Sequence, residues 1–289
     1  MVVMSSATSV AYLGPEGTFS HLVSLRRFPK KSVLPCATIT EVVHAIGSGA
    51  AELGVVPIEN SSGGTITETV DLLIEHTGHV FIREELALDV RLALLGRAGT
   101  PFSKLRTLYS HVMPLRHHRE WIRENLPGIK LVECASTAEA ARKAALSRTS
   151  GALAAPGAAE LYDLSILKFP VRPEALNITH FFVLGVESPL KPTNAAKRRK
   201  TAIVAALPQT SGSLHRFLGP FSRAGVNLCR IVSRPVAGEP ETYVFYLEVE
   251  GGVGDTNVQK ALEGAKRFAV RLELPGSYSI GPRYSSEPQ

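Results

Sequence analysis

The chain is short of cysteine: Cys36, Cys134 and Cys229 are the three it has in 289 residues, far apart and without metal-ligand spacing. That argues against a disulfide framework or a thiolate metal centre and fits ordinary buried thiols in a reducing compartment, so a cytoplasmic location is expected. Long apolar runs are missing too. No stretch approaches the roughly 18 residues that span a bilayer, and the opening MVVMSSATSVAYLG lacks the basic region and apolar core of a secretory signal. A membrane partner therefore finds no support. Also absent are the Gly-x-Ser-x-Gly elbow, the phosphate loop and the dinucleotide fingerprint, which removes the usual grounds for a hydrolase, an NTPase or a dehydrogenase. The formal charge is +6, but much of the excess sits in KRRK (197–200) and in scattered arginines. Without an aromatic-interleaved basic stripe or a reading helix, nucleic acid is not an expected partner, and a small anionic ligand suits the balance equally well.

What is present is alternation. The composition is that of a globular protein, 44% hydrophobic and 20% charged, and 289 residues predict two or three folding units. SVAYLG (9–14), SVLPCA (32–37) and AELGVVPIEN (51–60) read as strands. They alternate with helices over GTFSHLVSLRRF (17–28), TITEVVHAIGSG (38–49, capped by Thr38 or Thr40) and TITETVDLLIEH (65–76). This implies a mainly parallel sheet with helices on both sides. A second α/β unit follows, with one helix predicted over PLRHHREWIRENL (114–126), and ITHFFVLG (178–185) closes the module. Residues 186–199 read as a linker. The pattern then becomes βαββαβ over residues 200–275, the split ferredoxin-like order, before a loose tail.

The polar constellations sit where strands run into helices. In YLGPEGTFSH (12–21), Gly14 and Gly17 permit close backbone approach, and Thr18 and Ser20 stand beside free helical N–H groups. That makes either an anion site or a plain capped turn. VVPIENSSGGTITETVDLL (55–73) ends a strand in Glu59, Asn60, Ser61 and Ser62 before Gly63 and Gly64. Four polar residues before two glycines exceed what a turn requires, and ligands of open α/β sheets bind beyond the strand ends. His111 is a ligand-contact candidate, whereas the adjacent His117 and His118 point apart on a helix and make poor metal geometry. Ser136 and Thr137 start another helix able to receive an anion. In NITHFFVLG (177–185), a lone Thr179-His180 pair at the mouth of a strand reads most simply as a strand end facing water.

Taken together, YLGPEGTFSH, GVVPIENSSGGTITETVDLL, YSH ahead of REWIRENLPG, STAEAARKAA and NITHFF resemble the prephenate dehydratase family over most of the chain. NITHFF stands in the place of that family's Asn-x-Thr-Arg-Phe. GVNLCRIVSRP (225–235) is similar to the signature of an ACT regulatory domain. The resemblance implies a two-lobed, periplasmic-binding-protein-like catalytic module over 8–185, with lobes of about 8–83 plus 165–185 and of 84–164. An ACT domain over 200–277 and a tail over 278–289 complete the expected layout. It also implies loss of carbon dioxide and water from prephenate to give phenylpyruvate, without a cofactor or a metal, on the way to phenylalanine.

Carried onto this sequence, the family signature makes Thr179, Asn60 and Ser61 the expected catalytic residues. Thr18, Glu59, Ser62, Gly63, His111, Ser136, Thr137, His180 and Phe181 are expected to hold substrate. An effector, phenylalanine, would meet Gly212, Ser213, Leu214, Asn227, Leu228, Ser233, Arg234 and Pro235. Domains of this kind pair edge to edge, so a homodimer or homotetramer is expected. The chain departs from the family in several places. His180 replaces an arginine, which leads to the expectation that it meets a substrate carboxylate as an imidazolium. Val112 and Met113 replace Pro-Gln, and His117 replaces a glutamine. In the ACT region Ser211-Gly212-Ser213-Leu214 replaces Pro-Gly-Ala-Leu and Val232 replaces a glutamate, so altered phenylalanine feedback is expected. These departures leave open a prephenate decarboxylase that does not aromatise its product, and a two-lobed binding module that has lost catalysis. Retention of Thr179 favours chemistry, because a pure binder has no departing hydroxyl to assist.

Overall fold

The computed structural model describes residues 9–172, 177–187, 198–236, 238 and 242–287. The chain begins with β1 (Ser9–Leu13), α1 (Phe19–Arg27), β2 (Ser32–Cys36), α2 (Ile39–Gly47), β3 (Leu53–Asn60), the short β4 (Gly64–Thr65), α3 (Thr67–Glu75) and β5 (Phe81–Asp89). It crosses into a second lobe with β6 (Ala93–Gly96), β7 (Thr107–Ser110), α4 (Val112–His117), α5 (Arg119–Asn125), β8 (Lys130–Glu133), α6 (Thr137–Ala144), β9 (Ser150–Ala154), α7 (Ala158–Leu161) and β10 (Ser165–Lys168). β11 (Ile178–Gly185) returns to the first lobe. The C-terminal domain comprises β12 (Arg199–Ala206), α8 (Ser213–Arg223), β13 (Leu228–Pro235), β14 (Tyr243–Glu250), α9 (Thr256–Lys266) and β15 (Arg271–Ser285). Among the described residues no helix is long and apolar enough to cross a membrane.

Local chemistry sets the helix starts. Thr18 Oγ1 accepts from His21 N, Thr38 Oγ1 from Glu41 N and Ser136 Oγ from Glu139 N, each satisfying an amide that the helix leaves open. Glu139 returns to accept from the N–H of Ala135, the residue ahead of the cap, at 2.9 Å. The stretch predicted as one helix over 114–126 is two, α4 and α5. His118 (φ −103°, ψ 13°) breaks it, its ring Nδ1 lying 3.0 Å from the Pro114 carbonyl that its own N–H also meets.

The second lobe is a five-stranded sheet in the order β10-β6-β9-β7-β8. The first lobe contributes β5-β11-β3-β1-β2, parallel at β1 with its two neighbours and antiparallel at β11. The lobes therefore exchange two pieces relative to expectation. Residues 84–89 belong to the first sheet as part of β5, and β10 (165–168) belongs to the second. A strand's apolar face does not reveal which of two sheets it will join, since both offer the same kind of cover. Of the expected linker 186–199, residues 188–197 lie outside the described residues.

The C-terminal strands follow the order β13-β14-β12-β15, the ferredoxin-like arrangement, with α8 and α9 covering one face through Phe217, Phe221, Val258 and Ala261. Residues 278–285 are not a loose tail. β15 runs through them and pairs in parallel with β5, from Ser279 beside Glu84 to Ser285 beside Asp89. This fuses the domain and the first lobe into one ten-stranded sheet. Gly276 makes the crossing possible, because a Cβ there would lie 2.6 Å from the Ile82 carbonyl oxygen. Tyr278 is buried, edge-on to Phe182 of β11 with ring centroids 5.5 Å apart. Beyond it, Arg283 Nε donates to Asp89 at 3.0 Å, and Arg91 N donates to Ser286 Oγ at 2.6 Å.

The same junction buries charge. Lys200 Nζ of β12 lies 2.7 Å from Glu85 of β5, and His180 Nδ1 of β11 lies 2.8 Å from the other Glu85 oxygen. Arg230 of β13 bridges Glu248 of β14 and Glu59 of β3, while Tyr246 donates to Glu248 at 3.0 Å. Burial raises the cost of the Glu85 charge, yet His180 and Lys200 outweigh it and hold the carboxyl below the usual carboxylate range. Burial prevails at Glu248, whose carboxyl is pushed up despite the Arg230 guanidinium.

Removing residues 280–289 is expected to lower the melting midpoint by roughly 5 °C or more, as followed by calorimetry; an unchanged midpoint would contradict a structural β15 end. The two buried carboxylates differ in sign. With its folded pKa depressed, ionised Glu85 stabilises the fold above the ordinary carboxylate range, and that contribution fades as pH falls through its folded value. At pH 7, Glu85→Gln is therefore expected to cost about 3 kcal/mol, and Glu248→Gln roughly half of that or less. Equal melting losses for the two variants would contradict the assignment.

Candidate active site

β3 and β11 run antiparallel, and their ends carry the polar residues of two of the sequence motifs. Thr179 pairs with Asn60, His180 with Glu59 and Phe181 with Pro57. Ile58 is thus an extra residue, a β-bulge. Without it, strict alternation would put Glu59 on the same face as Pro57. With it, Pro57 and Asn60 share the cleft face with Thr179 and Phe181, and Glu59 and His180 point to the opposite face.

The cleft between the lobes holds two adjoining cavities of about 400 and 590 Å³ that share Phe19, Ala135, Thr137 and Thr179. Asn60 is fully engaged at its wall. Its Nδ2 donates to Thr179 Oγ1 at 2.8 Å and to Asn177 Oδ1 at 2.6 Å, and its Oδ1 accepts from Ser62 N and Gly63 N at 3.0 and 2.9 Å. Ser61 locks the neighbouring backbone, its N–H donating to the Ile178 carbonyl and its Oγ accepting from Ile178 N. Because Thr179 Oγ1 accepts from Asn60, its own O–H is left to donate into the cleft. The residue is 8% exposed and lines both cavities.

The rest of the lining combines helix starts with side chains of both signs, Arg142 and Glu139. The N-terminus of α1 at Thr18 and that of α6 at Ser136 and Thr137 turn toward the cavities, where helix ends favour negative charge. Arg142 of α6 lines one cavity, and His111, His117 and His118 line the other. The apolar floor comes from Phe19, Ile66, Val90, Leu92 and Met113.

The cleft therefore gathers Thr18, Asn60, Gly63, His111, Ser136, Thr137, Thr179 and Phe181 of the expected residues. Ser61 and Ser62 hold the loop rather than line it. Glu59 and His180 are corrections: neither lines the cleft, because the bulge and strand alternation turn them to Arg230 and Glu85. His180 accordingly is not placed to meet a substrate carboxylate. Two of the departures from the family, Met113 and His117, line the cleft, as their clustering in the sequence suggests, whereas Asn177 and Arg142 were not expected there. Both lie inside the NITHFF and STAEAARKAA stretches, and only their orientation was hidden. Of the expected effector residues, Gly212 (φ 78°) and Ser213 start α8, and Leu214 packs beneath it. Asn227 accepts from Glu250 N ahead of Leu228, and Pro235 ends β13 two residues after Ser233. Arg234 faces the other way, with Nη2 2.7 Å from Asp71 of α3, and Val232 packs on the core shared with the first lobe.

Comparison with known proteins agrees with this geometry. The family model described as prephenate dehydratase matches residues 10–189. The bifunctional chorismate mutase/prephenate dehydratase of Stutzerimonas stutzeri is 35% identical over 270 residues, covering 93% of this chain and 72% of that protein. Among solved structures, the prephenate dehydratase of Arthrobacter aurescens in complex with L-Phe superposes with a TM-score of 0.84 at 29% identity, covering 94% of this chain and 90% of that one. GqqA, described as a novel type of quorum-quenching acylase, gives 0.85 at 28% identity, covering 94% and 98%. A family match across the whole two-lobed module, with the Asn60–Thr179 pair set in its cleft, means that this chain belongs to the prephenate dehydratase family.

Proposed function

We infer that the chain converts prephenate to phenylpyruvate, carbon dioxide and water, as a lyase of phenylalanine biosynthesis. The observation that carries this reading is the Asn60–Thr179 hydrogen bond at 2.8 Å, which leaves a buried hydroxyl donor facing the cleft. In the reaction the bond to the ring carboxylate breaks, and its electron pair enters the ring as the ring hydroxyl departs. That hydroxyl takes up one proton and leaves as water. Thr179 is the group placed to hold a hydrogen at the departing oxygen, and Asn60 fixes its direction. Prephenate carries two carboxylates, which suits the two helix starts at Thr18 and Thr137 together with Arg142. Aromatisation supplies most of the driving force, so positioning and one hydrogen-bond donor suffice.

The C-terminal domain we assign to sensing of phenylalanine, on the strength of the L-Phe complex of the Arthrobacter relative. Among the described residues β13 is an unpaired edge of the ten-stranded sheet with Ile231 exposed, which favours a homodimer joined edge to edge.

Thr179→Ala is expected to lower kcat by about 100-fold or more with a much smaller change in KM, while Thr179→Ser retains most of the rate. Following prephenate loss and phenylpyruvate formation together checks both points. Substrate loss without phenylpyruvate would replace the dehydratase with a non-aromatising decarboxylase. Light scattering with calorimetric titration of L-phenylalanine is expected to show a dimer that binds the amino acid. A monomer, or no heat of binding, would remove the corresponding assignment.

A further inference from the structure

The faces of β3 and β11 turned away from the cleft are gripped by the C-terminal domain at the two residues next to the catalytic pair. Glu59 precedes Asn60 in β3, and Arg230 of β13 reaches it with Nε 2.9 Å from Oε2. His180 follows Thr179 in β11, and Glu85 joins it to Lys200 of β12. Arg230 is nearly buried and is anchored from below by Glu248, itself fully buried. Arg234, two strand steps along the same face, holds Asp71 of α3, the helix that follows the loop from Asn60 to Ile66. That loop is cleft wall, and its amides at Ser62 and Gly63 set the direction of the Asn60 side chain. The grip is thus applied on both sides of one loop.

We propose that Arg230 is a positioning residue for catalysis: through Glu59 it fixes the end of β3, and hence the aim of Asn60 at Thr179, from the sensing domain. Lys200 does the same for β11 through Glu85 and His180. Neither cation touches the cleft. The coupling lets any shift of β13 alter the rate without altering the surfaces that bind substrate, and it gives His180 a role on the opposite face of the strand from substrate. This rests on the dehydratase reading, since it takes Asn60 and Thr179 as the working pair.

Glu59→Gln is the telling variant. It leaves Arg230 paired with Glu248, so the protein is expected to fold and to melt within about 2 °C of the original. Its kcat for prephenate is expected to fall by about tenfold while KM stays within about twofold. In an Asn60→Ala background the same change is expected to add less than about twofold, because the residue through which it acts is gone. Arg230→Met should reproduce the loss in kcat if it folds. An unchanged kcat in Glu59→Gln would overturn the proposal, as would a tenfold loss persisting in the Asn60→Ala background. A rise in KM at constant kcat would overturn it too, by showing Glu59 in contact with substrate. Absence of turnover in the unaltered protein would instead overturn the dehydratase reading itself.

Discussion

The antiparallel pairing of β3 with β11 is the constraint on which the rest depends. Two strands present two faces, and the extra residue Ile58 decides which side chain goes to which. On one face stand Asn60 and Thr179, tied by a hydrogen bond and open to the cleft. On the other stand Glu59 and His180, tied to cations and carboxylates of the C-terminal domain and of β5. A shift of one residue in this pairing would send the catalytic groups into the domain junction and the charges into the cleft.

Fusion of the sheets ties that arrangement to the C-terminal domain. The parallel pairing of β15 with β5 and the antiparallel pairing of β5 with β11 bring the C-terminal domain within reach of β11. Buried charges are costly unless paired, and breaking one pair leaves another charge uncompensated. At the junction the depressed Glu85 and the raised Glu248 carboxyl groups sit on either side of Lys200. The second lobe, by contrast, packs through alanines of α6 against β7 and β9 and supplies helix ends and histidines to the cleft.

Much of this was legible in the sequence, and the reasons are local. Capping residues Thr18, Thr38 and Ser136 announce their helices within four positions. The polar ends of β3 and β11 stand out because a turn does not need Asn60, Ser61 and Thr179. The βαββαβ order is written in successive periodicities. What was hidden is non-local. The continuation of β15 through Tyr278 depends on an open edge at β5, nearly 200 residues earlier in the chain. The bulge at Ile58 leaves no compositional mark, so Glu59 looked like a neighbour of substrate; His180 turns from the cleft by plain alternation with Thr179 in β11. The exchange of β10 and residues 84–89 between lobes was hidden for the same reason: the choice of sheet is made by packing.

Catalysis belongs to the cleft face of this strand pair and its support to the other. A crystal structure with an unreactive prephenate analogue tests it most directly. The analogue's ring oxygen is expected within hydrogen-bonding distance of Thr179 Oγ1, its carboxylates at the starts of α1 and α6, and His180 still against Glu85. An analogue carboxylate bound to His180 or Glu59 turned into the cleft would contradict it.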